Sequence, residues 1–176
     1  VILLTAKTGD ASKVVGMDCG ADAYIEKPFS VQYLEACINN LVSLRAMLRN
    51  KYSTSPLMPL TSVANNNTDT NFLKNMTDII EAHFSDSNLS VDFLTEQMGI
   101  SRSSLYNKIK VLTDKTPNEL IQLMRLKKAA QLLRENKYRI NEICYMVGFN
   151  NPSYFSKCFY KQFGMKPGEF AAQSGE

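Results

Sequence analysis

The sequence predicts a mainly helical fold with a smaller α/β unit at its N-terminal end. Two features predict the helical part: an aromatic stripe at helical spacing near the C-terminus, and an internal repeat of the pattern around it. Two short apolar runs, at residues 1–4 and 23–25, flank a helix-like stretch and predict buried parallel strands. A chain of 176 residues can hold one large domain or two small ones.

The aromatic stripe consists of Phe155, Phe159 and Phe163, which recur every fourth residue. Asn151 can cap the helix that carries them, and Pro152 suits its first turn because a proline there gives up no hydrogen bond. The opposite face is short, polar and basic, with Ser153, Ser156, Lys157 and Lys161. A helix with an apolar root and such a front is typical of the second helix of a helix-turn-helix, which faces base edges and phosphates.

The same pattern occurs earlier in the chain. Its positions match at a constant offset, with one extra turn residue in the second copy. The matching pairs are Val91 with Ile140, Leu94 with Ile143, Met98 with Val147, Gly99 with Gly148, Leu105 with Phe155, and Ile109 with Phe159. Both copies are followed by a proline that opens another helix, Pro117 and Pro167. Because chance rarely preserves so many apolar positions together with two helix breakers, the sequence predicts two helix-turn-helix units.

A long helix from Pro117 to Glu135 is predicted to join the two units. Thr116 and Glu119 have the spacing of a capping box, with Pro117 at the first helical position. A helix of roughly 19 residues spans about 28 Å. This length is close to the ~34 Å that separates successive major-groove faces of B-DNA. One rigid helix could therefore hold two recognition helices in adjacent major grooves.

Residues from about 70 to 173 resemble the DNA-binding domain of the AraC/XylS family of transcription regulators. The resemblance is carried by Arg125-Leu126-x-x-Ala129-x-x-Leu132-Leu133, by Ile140-x-Glu142-Ile143-Cys144-x-x-Val147-Gly148-Phe149, and by Ser153-Tyr154-Phe155-Ser156-Lys157-x-Phe159 through Phe163-Gly164-Met165-Lys166-Pro167. Arg139 and Cys144 depart from it, standing where a small capping residue and Ala are usual. The resemblance implies a seven-helix double helix-turn-helix domain over residues 70–176. It also implies a sequence-specific regulator that is not an enzyme and uses no cofactor.

The resemblance implies which side chains read bases in the major groove of double-stranded DNA. They are Ser103, Tyr106 and Asn107 in the first unit, and Ser153, Ser156 and Lys157 in the second. Four other side chains are better placed for phosphates, which position a protein without reading sequence: Arg102, Lys108, Lys110 and Lys161.

The charge of the chain is unevenly distributed. Residues 100–166 contain 13 Lys or Arg against 4 Asp or Glu, whereas residues 70–99 contain 1 Lys against 5 acids. The basic part is the part with the predicted recognition helices, as contact with phosphate requires. The plainer alternative is a solvated charged face.

Composition disfavours metal, disulfide and membrane functions. The four cysteines, at positions 19, 37, 144 and 158, have no CxxC spacing, so neither a zinc site nor a disulfide framework is expected. The single histidine, His83, is expected to have a packing or surface role. No apolar run approaches ~18 residues and no signal peptide is visible, which predicts a cytoplasmic fragment without membrane contact.

Residues 1–52 resemble the last two-fifths of a response-regulator receiver domain. Thr5 and Lys27 match the hydroxyl and the lysine that contact the phosphoryl group in that family, and Tyr24 matches its aromatic switch residue. The phosphate-accepting Asp and the acidic metal ligands of the family lie upstream, on strands that this sequence lacks. Thr5 and Lys27 are therefore interpreted as remnants of a site, and no catalytic or metal-binding residue is expected here.

A long helix is predicted from Val31, with apolar residues at a 4-3-7 spacing. This spacing leaves two interpretations open, a short coiled-coil seam or a helix packed on its own strands. Residues 53–69 are rich in Ser, Thr and Asn and are predicted to form a flexible linker.

A receiver remnant followed by an AraC-type domain resembles the C-terminus of a bacterial hybrid two-component regulator, in which sensor, kinase, receiver and DNA-binding domain share one polypeptide. The resemblance implies the DNA-binding output of a phosphorelay, with a parent protein anchored in the inner membrane. A homodimer through residues 1–52 is expected, because two strands and two helices bury too little alone. RNA polymerase is a further expected partner. The alternative is a phosphotransfer or dimerisation module whose helical part binds protein rather than DNA.

Overall fold

The computed structural model describes residues 1–6, 10–18, 20–86 and 89–173. Within these residues the chain forms two strands and nine α-helices, with one 3-10 turn at Leu60–Val63. The first part comprises β1 (Ile2–Thr5), α1 (Asp10–Asp18), β2 (Ala23–Glu26) and α2 (Val31–Thr54). The second comprises α3 (Asn67–Ala82), α4 (Val91–Met98), α5 (Arg102–Thr113), α6 (Pro117–Glu135), α7 (Ile140–Met146), α8 (Pro152–Phe163) and α9 (Pro167–Gln173).

The N-terminal unit is a two-stranded parallel sheet whose strands are joined through α1. β1 and β2 pair in register from Ile2 with Ala23 to Thr5 with Glu26. The backbone N–H of Lys27 donates to the carbonyl of Thr5 at 2.8 Å, so these two residues lie together where the strands end. The Lys27–Pro28 peptide bond is cis. The two predicted strands and the helix between them are therefore present.

α2 is capped at its start and held by an ion pair nearer its middle. Ser30 caps its start by accepting a hydrogen bond from the N–H of Tyr33 at 3.1 Å. One turn past its middle, the Arg45 guanidinium donates to the Asp22 carboxylate at 2.6 Å and holds the helix beside the sheet. Between these points Ile38 and Val42 are exposed. The described contacts thus join α2 to the turn before β2, and both interpretations of its apolar spacing stay predictions.

The helical domain contains two apolar cores that share α6. The first core buries, among others, Leu73, Met76, Ile80, Leu94, Leu105 and Ile109, together with Leu120, Leu123 and Met124 of α6. The second buries Ile143, Val147, Phe155 and Phe159, together with Leu126, Ala129, Ala130 and Leu133 of α6. Since one continuous helix lines both cores, the two helix-turn-helix units are attached to a common wall.

The predicted caps fix where the helices begin. Glu119 and Thr116 form the capping box: the N–H of Glu119 donates to Thr116 Oγ1 at 3.3 Å, and the N–H of Thr116 donates to Glu119 Oε2 at 2.8 Å. The backbone hydrogen bond from Thr116, with the one from its hydroxyl, lowers the pKa of the Glu119 carboxyl. Asn151 and Ser101 cap α8 and α5.

Residues 53–69 differ from the flexible linker that their composition predicted. α2 continues to Thr54, the 3-10 turn follows, and α3 begins at Asn67. Tyr52, Leu60 and Val63 lie in the first core, with exposures of only 2%, 5% and 5%. Leu57 is exposed, but Leu60 and Val63 of the segment are buried, and their burial orders the backbone around them. The domain boundaries drawn at residues 52 and 69 stay predictions.

Candidate nucleic-acid interface

Each helix-turn-helix unit is built around a glycine with a left-handed backbone. Gly99, after α4, has φ of 62°, and Gly148, after α7, has φ of 79°. In both units the next residue donates back to the helix: Ile100 N–H to the Thr95 carbonyl at 3.2 Å, and Phe149 N–H to the Cys144 carbonyl at 3.0 Å. This C-terminal capping pattern turns the chain sharply into the next helix. α5 and α8 therefore leave equivalent turns.

The six predicted base readers occupy equivalent positions on α5 and α8. α5 begins at Arg102 and α8 at Pro152, so each helix carries the three residues at its second, fifth and sixth positions. They are Ser103, Tyr106 and Asn107 on α5, and Ser153, Ser156 and Lys157 on α8. Tyr106 and Ser156 are half-buried and the other four are exposed. The structure thus places two polar fronts opposite two fully buried roots, Leu105 with Ile109 and Phe155 with Phe159.

Arg102, a predicted phosphate contact, has partners within the first unit. Its guanidinium donates to the Asp92 carboxylate of α4 at 2.7 Å and lies 5.8 Å from the ring centroid of Tyr106. The hydrogen bond with Tyr106, followed by the charge of Asp92, raises the pKa of Arg102. Arg102 therefore joins the start of α5 to α4 and to a predicted base reader.

The predicted phosphate contacts Lys108 and Lys110 are also paired with acids. The Lys108 ammonium lies 3.5 Å from the Asp69 carboxylate and 4.7 Å from the ring centroid of Phe72. The Lys110 ammonium lies 2.9 Å from the carboxylate of Asp114, and the hydrogen bond between them lowers the pKa of that carboxyl. A phosphate that approaches either lysine therefore meets a carboxylate beside it.

Lys161 and Lys157 of α8 differ from the cations of α5. Both are exposed, and among the residues that the structure describes neither has an acidic partner within salt-bridge distance. They lie one helical turn apart on the same face of α8. The second unit therefore presents unpaired positive charge where the first presents paired charge.

Arg125 of α6 joins the two units, a role that sequence reasoning missed although Arg125 belongs to the family motif. Its guanidinium donates to the carbonyl of Gly148 at 3.2 Å and to the carbonyl of Asp86 at 3.1 Å. Burial lowers the pKa of Arg125. A Cβ on Gly148 would lie 2.8 Å from the Arg125 Cζ and still closer to the carbonyl oxygen of Phe84, two residues after the end of α3. Gly148 thus permits a close approach between the two units.

Gln122, also on α6, contacts α8 directly and was likewise not predicted. Its side-chain amide donates to the Tyr154 hydroxyl at 3.2 Å and lies at the same distance from the Cys158 sulfur. Tyr154 and Cys158 are one turn apart on α8, so Gln122 fixes the rotation of α8 about its own axis. A side chain at a partly exposed position of a long helix carries no sequence signal for such a contact.

The metal ligands, cysteines, histidine and membrane spans that the sequence analysis considered can be compared with the described residues. Among the described residues no cluster of three or more His, Cys, Asp or Glu could hold a metal ion. Cys37, Cys144 and Cys158 are free thiols, and Cys19 lies outside the described residues. His83 packs edge-on against Phe93 at 4.8 Å, in the packing role expected of it. No helix in the described ranges is long and apolar enough to span a bilayer.

A helix-turn-helix domain family model matches residues 94–173, which include α5 to α9. Among solved structures, the chain is similar to a transcriptional regulator from Chromobacterium violaceum that is described as an AraC-type DNA-binding domain-containing protein. The two superpose with a TM-score of 0.58 and 27% sequence identity, over 63% of this chain and 98% of that one. Over these residues the helical domain is similar to AraC-type helix-turn-helix domains. AraC-type regulators are not enzymes.

Two curated relatives extend the comparison. Histidine kinase P4 of Formosa agariphila is 39% identical over 176 residues, which is all of this chain but 13% of that protein. The transcriptional activator RhaS of Escherichia coli is 33% identical over 88 residues, covering 50% of this chain and 31% of its own length. The chain thus spans less than a third of either relative.

Proposed function

We propose that this chain is the sequence-specific DNA-binding output of a hybrid two-component regulator. The observation that carries the DNA-binding part is the pair of equivalent polar fronts on α5 and α8. Both fronts are fixed to α6, whose 19 residues span about 28 Å. This length suits recognition helices in two successive major grooves on one side of a duplex, with half-sites about 10 base pairs apart.

The chemistry of the two fronts assigns them different bases. The Lys157 ammonium can donate to guanine O6 and N7, and the Asn107 amide can pair with adenine. Ser103, Ser156 and Ser153 add hydroxyls, and the Tyr106 ring suits a thymine methyl group. Lys161 contacts phosphate, and Arg102, Lys108 and Lys110 join it after exchanging their carboxylate partners for phosphate oxygens.

Lys157 and Lys161 make a matched test of this assignment, since both are exposed lysines on one face of α8. Duplexes are first selected from random DNA by the wild-type chain, and binding is then measured across a range of salt concentrations. Lys157→Ala should weaken binding to the selected site by roughly 1–3 kcal/mol and relax the preference at one or two base pairs. Lys161→Ala should weaken all sequences alike and lower the salt slope by about one. Equal losses for both variants on selected and random DNA would refute the division into base readers and phosphate contacts.

The phosphorelay part of the proposal concerns residues 1–52. Two observations support it: Thr5 and Lys27 lie together at the carboxyl ends of two parallel strands, and the similarity to histidine kinase P4 extends over the whole chain. In a receiver domain these two residue types contact a phosphoryl group whose acceptor Asp is elsewhere. We infer that the acceptor of the parent protein lies outside residues 1–52. Acetyl phosphate with magnesium should then add no phosphoryl mass to this chain, and a modified Asp within residues 1–52 would contradict the inference.

Self-association through residues 1–52 belongs to the same proposal. The unit exposes apolar side chains on β1, α1 and α2, namely Leu4, Val14, Val15, Val31, Ile38 and Val42. A two-stranded sheet with such a surface gains stability by covering it with a second copy. We expect this unit to form a homodimer in the cytoplasm. RNA polymerase is a further proposed partner, and the parent protein is proposed to be anchored in the inner membrane. Sedimentation of a monomer at micromolar concentration would contradict the dimer.

A further inference from the structure

The C-terminal end of α2 packs into the first core of the helical domain. We call residues 49–63 the docked segment. Three of its apolar residues, Tyr52, Leu60 and Val63, are buried in the first core with Leu73 and Met76 of α3. The ring of Tyr52 is almost fully buried, and burial raises the pKa of its hydroxyl. The docked segment therefore does not swing freely between the N-terminal unit and the helical domain.

Three polar side chains tie the docked segment to three different helices. The Arg49 guanidinium donates to the carbonyl of Leu112 in the last turn of α5 at 3.1 Å, and also to that of Val111. These carbonyls have no partner within α5, and a cation at a helix C-terminus is favourable. On α8, the Gln162 amide donates to the carbonyl of Ser53 at 2.6 Å.

The third contact comes from α6 and is the most deeply buried. Lys127 is only 7% exposed, and its ammonium donates to the carbonyls of Ser55 at 2.8 Å and Met58 at 3.0 Å. The same ammonium lies 3.7 Å from the ring centroid of Tyr52. Two carbonyls and a ring compensate the desolvation of this charge, which without partners would be costly. Lys127 thus binds the backbone of the docked segment at the point where α2 ends.

These contacts connect α2 with both predicted recognition helices and with the helix between them. We propose that Arg49, Lys127 and Gln162 are positioning residues, which use the docked segment to fix α5 and α8 relative to each other and to α2. The proposal rests on the DNA-binding function proposed above, and it adds a path from the N-terminal unit to the spacing of the two recognition helices. A displacement of α2 then changes which half-site spacing the domain accepts.

The first test measures the two helices directly, without DNA. Spin labels are introduced as unnatural amino acids at Asn107 on α5 and Lys157 on α8, and their distance distribution is recorded in the full chain. Lys127→Met keeps the length of the buried side chain but removes its two hydrogen bonds, and Gln162→Leu does the same on α8. Lys128→Met is the control, because Lys128 is the next lysine of α6 and makes no hydrogen bond or ion pair among those the described residues show. Both test variants should broaden or shift the distribution, and the control should leave it as in wild type.

The second test measures spacing preference with the same variants. The probes are duplexes selected from random DNA by the wild-type chain, together with copies that carry one or two extra base pairs between the half-sites. The affinity ratio between native and lengthened spacing should fall by about threefold or more in Lys127→Met and Gln162→Leu. A purely structural role would instead lower both affinities equally and leave the ratio unchanged.

The two tests separate the possible failures. Unchanged distance distributions in folded Lys127→Met and Gln162→Leu would overturn the positioning role, whatever the DNA result. If the wild-type chain showed no preference for selected over random DNA, the proposed function would fail, while the distances would still decide whether these residues fix α5 against α8. Thermal melting by circular dichroism shows whether each variant is folded, and Gln162→Leu keeps the test available if Lys127→Met does not fold.

Discussion

Replacing Gly148 by Ala should destabilise the chain much more than the same change at Gly99. The two glycines occupy matching places in the internal repeat, and both have positive φ, 79° and 62°. A side chain in the left-handed region costs about 1–2 kcal/mol, and this cost is common to both sites. The space around them differs. At Gly99 an added Cβ meets no atom within 4 Å, whereas at Gly148 it lies 2.8 Å from the Arg125 Cζ and nearer still to the carbonyl oxygen of Phe84.

The second cost at Gly148 comes from the backbone that the new methyl group meets. A flexible side chain such as Arg125 can move, but the carbonyl of Phe84 belongs to the main chain beside α3 and moves only with it. Overpacking of this kind typically costs about 1–3 kcal/mol. The expected loss in the free energy of unfolding is therefore about 1–2 kcal/mol for Gly99→Ala and about 2–5 kcal/mol for Gly148→Ala.

Urea unfolding followed by circular dichroism measures both losses, provided that the slope with denaturant is unchanged. Arg125→Ala in the Gly148→Ala background identifies the source of the strain, because it removes the side chain but not the Phe84 carbonyl. Because Arg125→Ala also removes two hydrogen bonds, the double variant is compared with Arg125→Ala alone, and it should still be less stable than that single variant. Equal losses at the two glycines, or a double variant as stable as Arg125→Ala alone, would refute the close backbone contact between the segment after α3 and the second turn.

Three further predictions concern stability. Burial lowers the pKa of Lys127 to about 8 from an ordinary 10.5, so the unfolded chain binds more protons than the folded chain between these pH values. The free energy of unfolding of wild type, relative to that of Lys127→Met, should therefore rise from pH 8 to 10 by at most about 1.4 kcal/mol per pH unit. A relative free energy that does not change with pH would contradict this prediction. Thr116→Ala removes the capping box of α6 and should cost about 1 kcal/mol in urea unfolding, with Thr54→Ala, at the exposed end of α2, costing less. Asn136 ends α6 with φ of 51°, so Asn136→Gly should be neutral or stabilising by a few tenths of a kcal/mol, and a large loss in the same assay would show an unrecognised role for its side chain.

The helices of the helical domain could be predicted because their signals are local. Thr116 with Glu119 and Asn151 with Pro152 lie within one turn of the ends that they define, and the structure has both ends where the sequence placed them. The repeat added the pairing of the two units. Each of these signals depends on residues a few positions apart, whose contacts are set by helix geometry alone.

The docked segment could not be predicted by the same means. Lys127 and Ser55 are 72 residues apart in the sequence, and Gln162 and Ser53 are 109 apart. The sequence shows a polar segment and a lysine on a long helix, but it does not show that the two are in contact. The position of Lys127 among apolar residues of α6 was the one available signal, since a lysine in the buried phase of a helix needs a polar partner.

The predicted interface shows the same division between local and distant contacts. The pairing of Lys110 with Asp114 has a spacing that favours contact on any helix, so the sequence contained it. The pairing of Lys108 with Asp69 depends on α3 packing beside α5, which the sequence pattern does not show. The phosphate contacts assigned to Lys108 and Lys110 stay predictions.

We expect the two units to meet DNA with different electrostatics. On α5 the cations lie against carboxylates, and an approaching phosphate displaces a carboxylate that then stays near the DNA backbone. Exposed ion pairs of this kind are worth only about 0–1 kcal/mol, so the exchange is inexpensive, but the displaced acid opposes part of the gain. On α8, Lys161 has no acidic partner among the described residues, so its predicted phosphate contact would release counterions without such opposition. We therefore expect Lys161 to contribute more to the salt-dependent affinity than Lys108 or Lys110, whose carboxylate partners would remain near the phosphate.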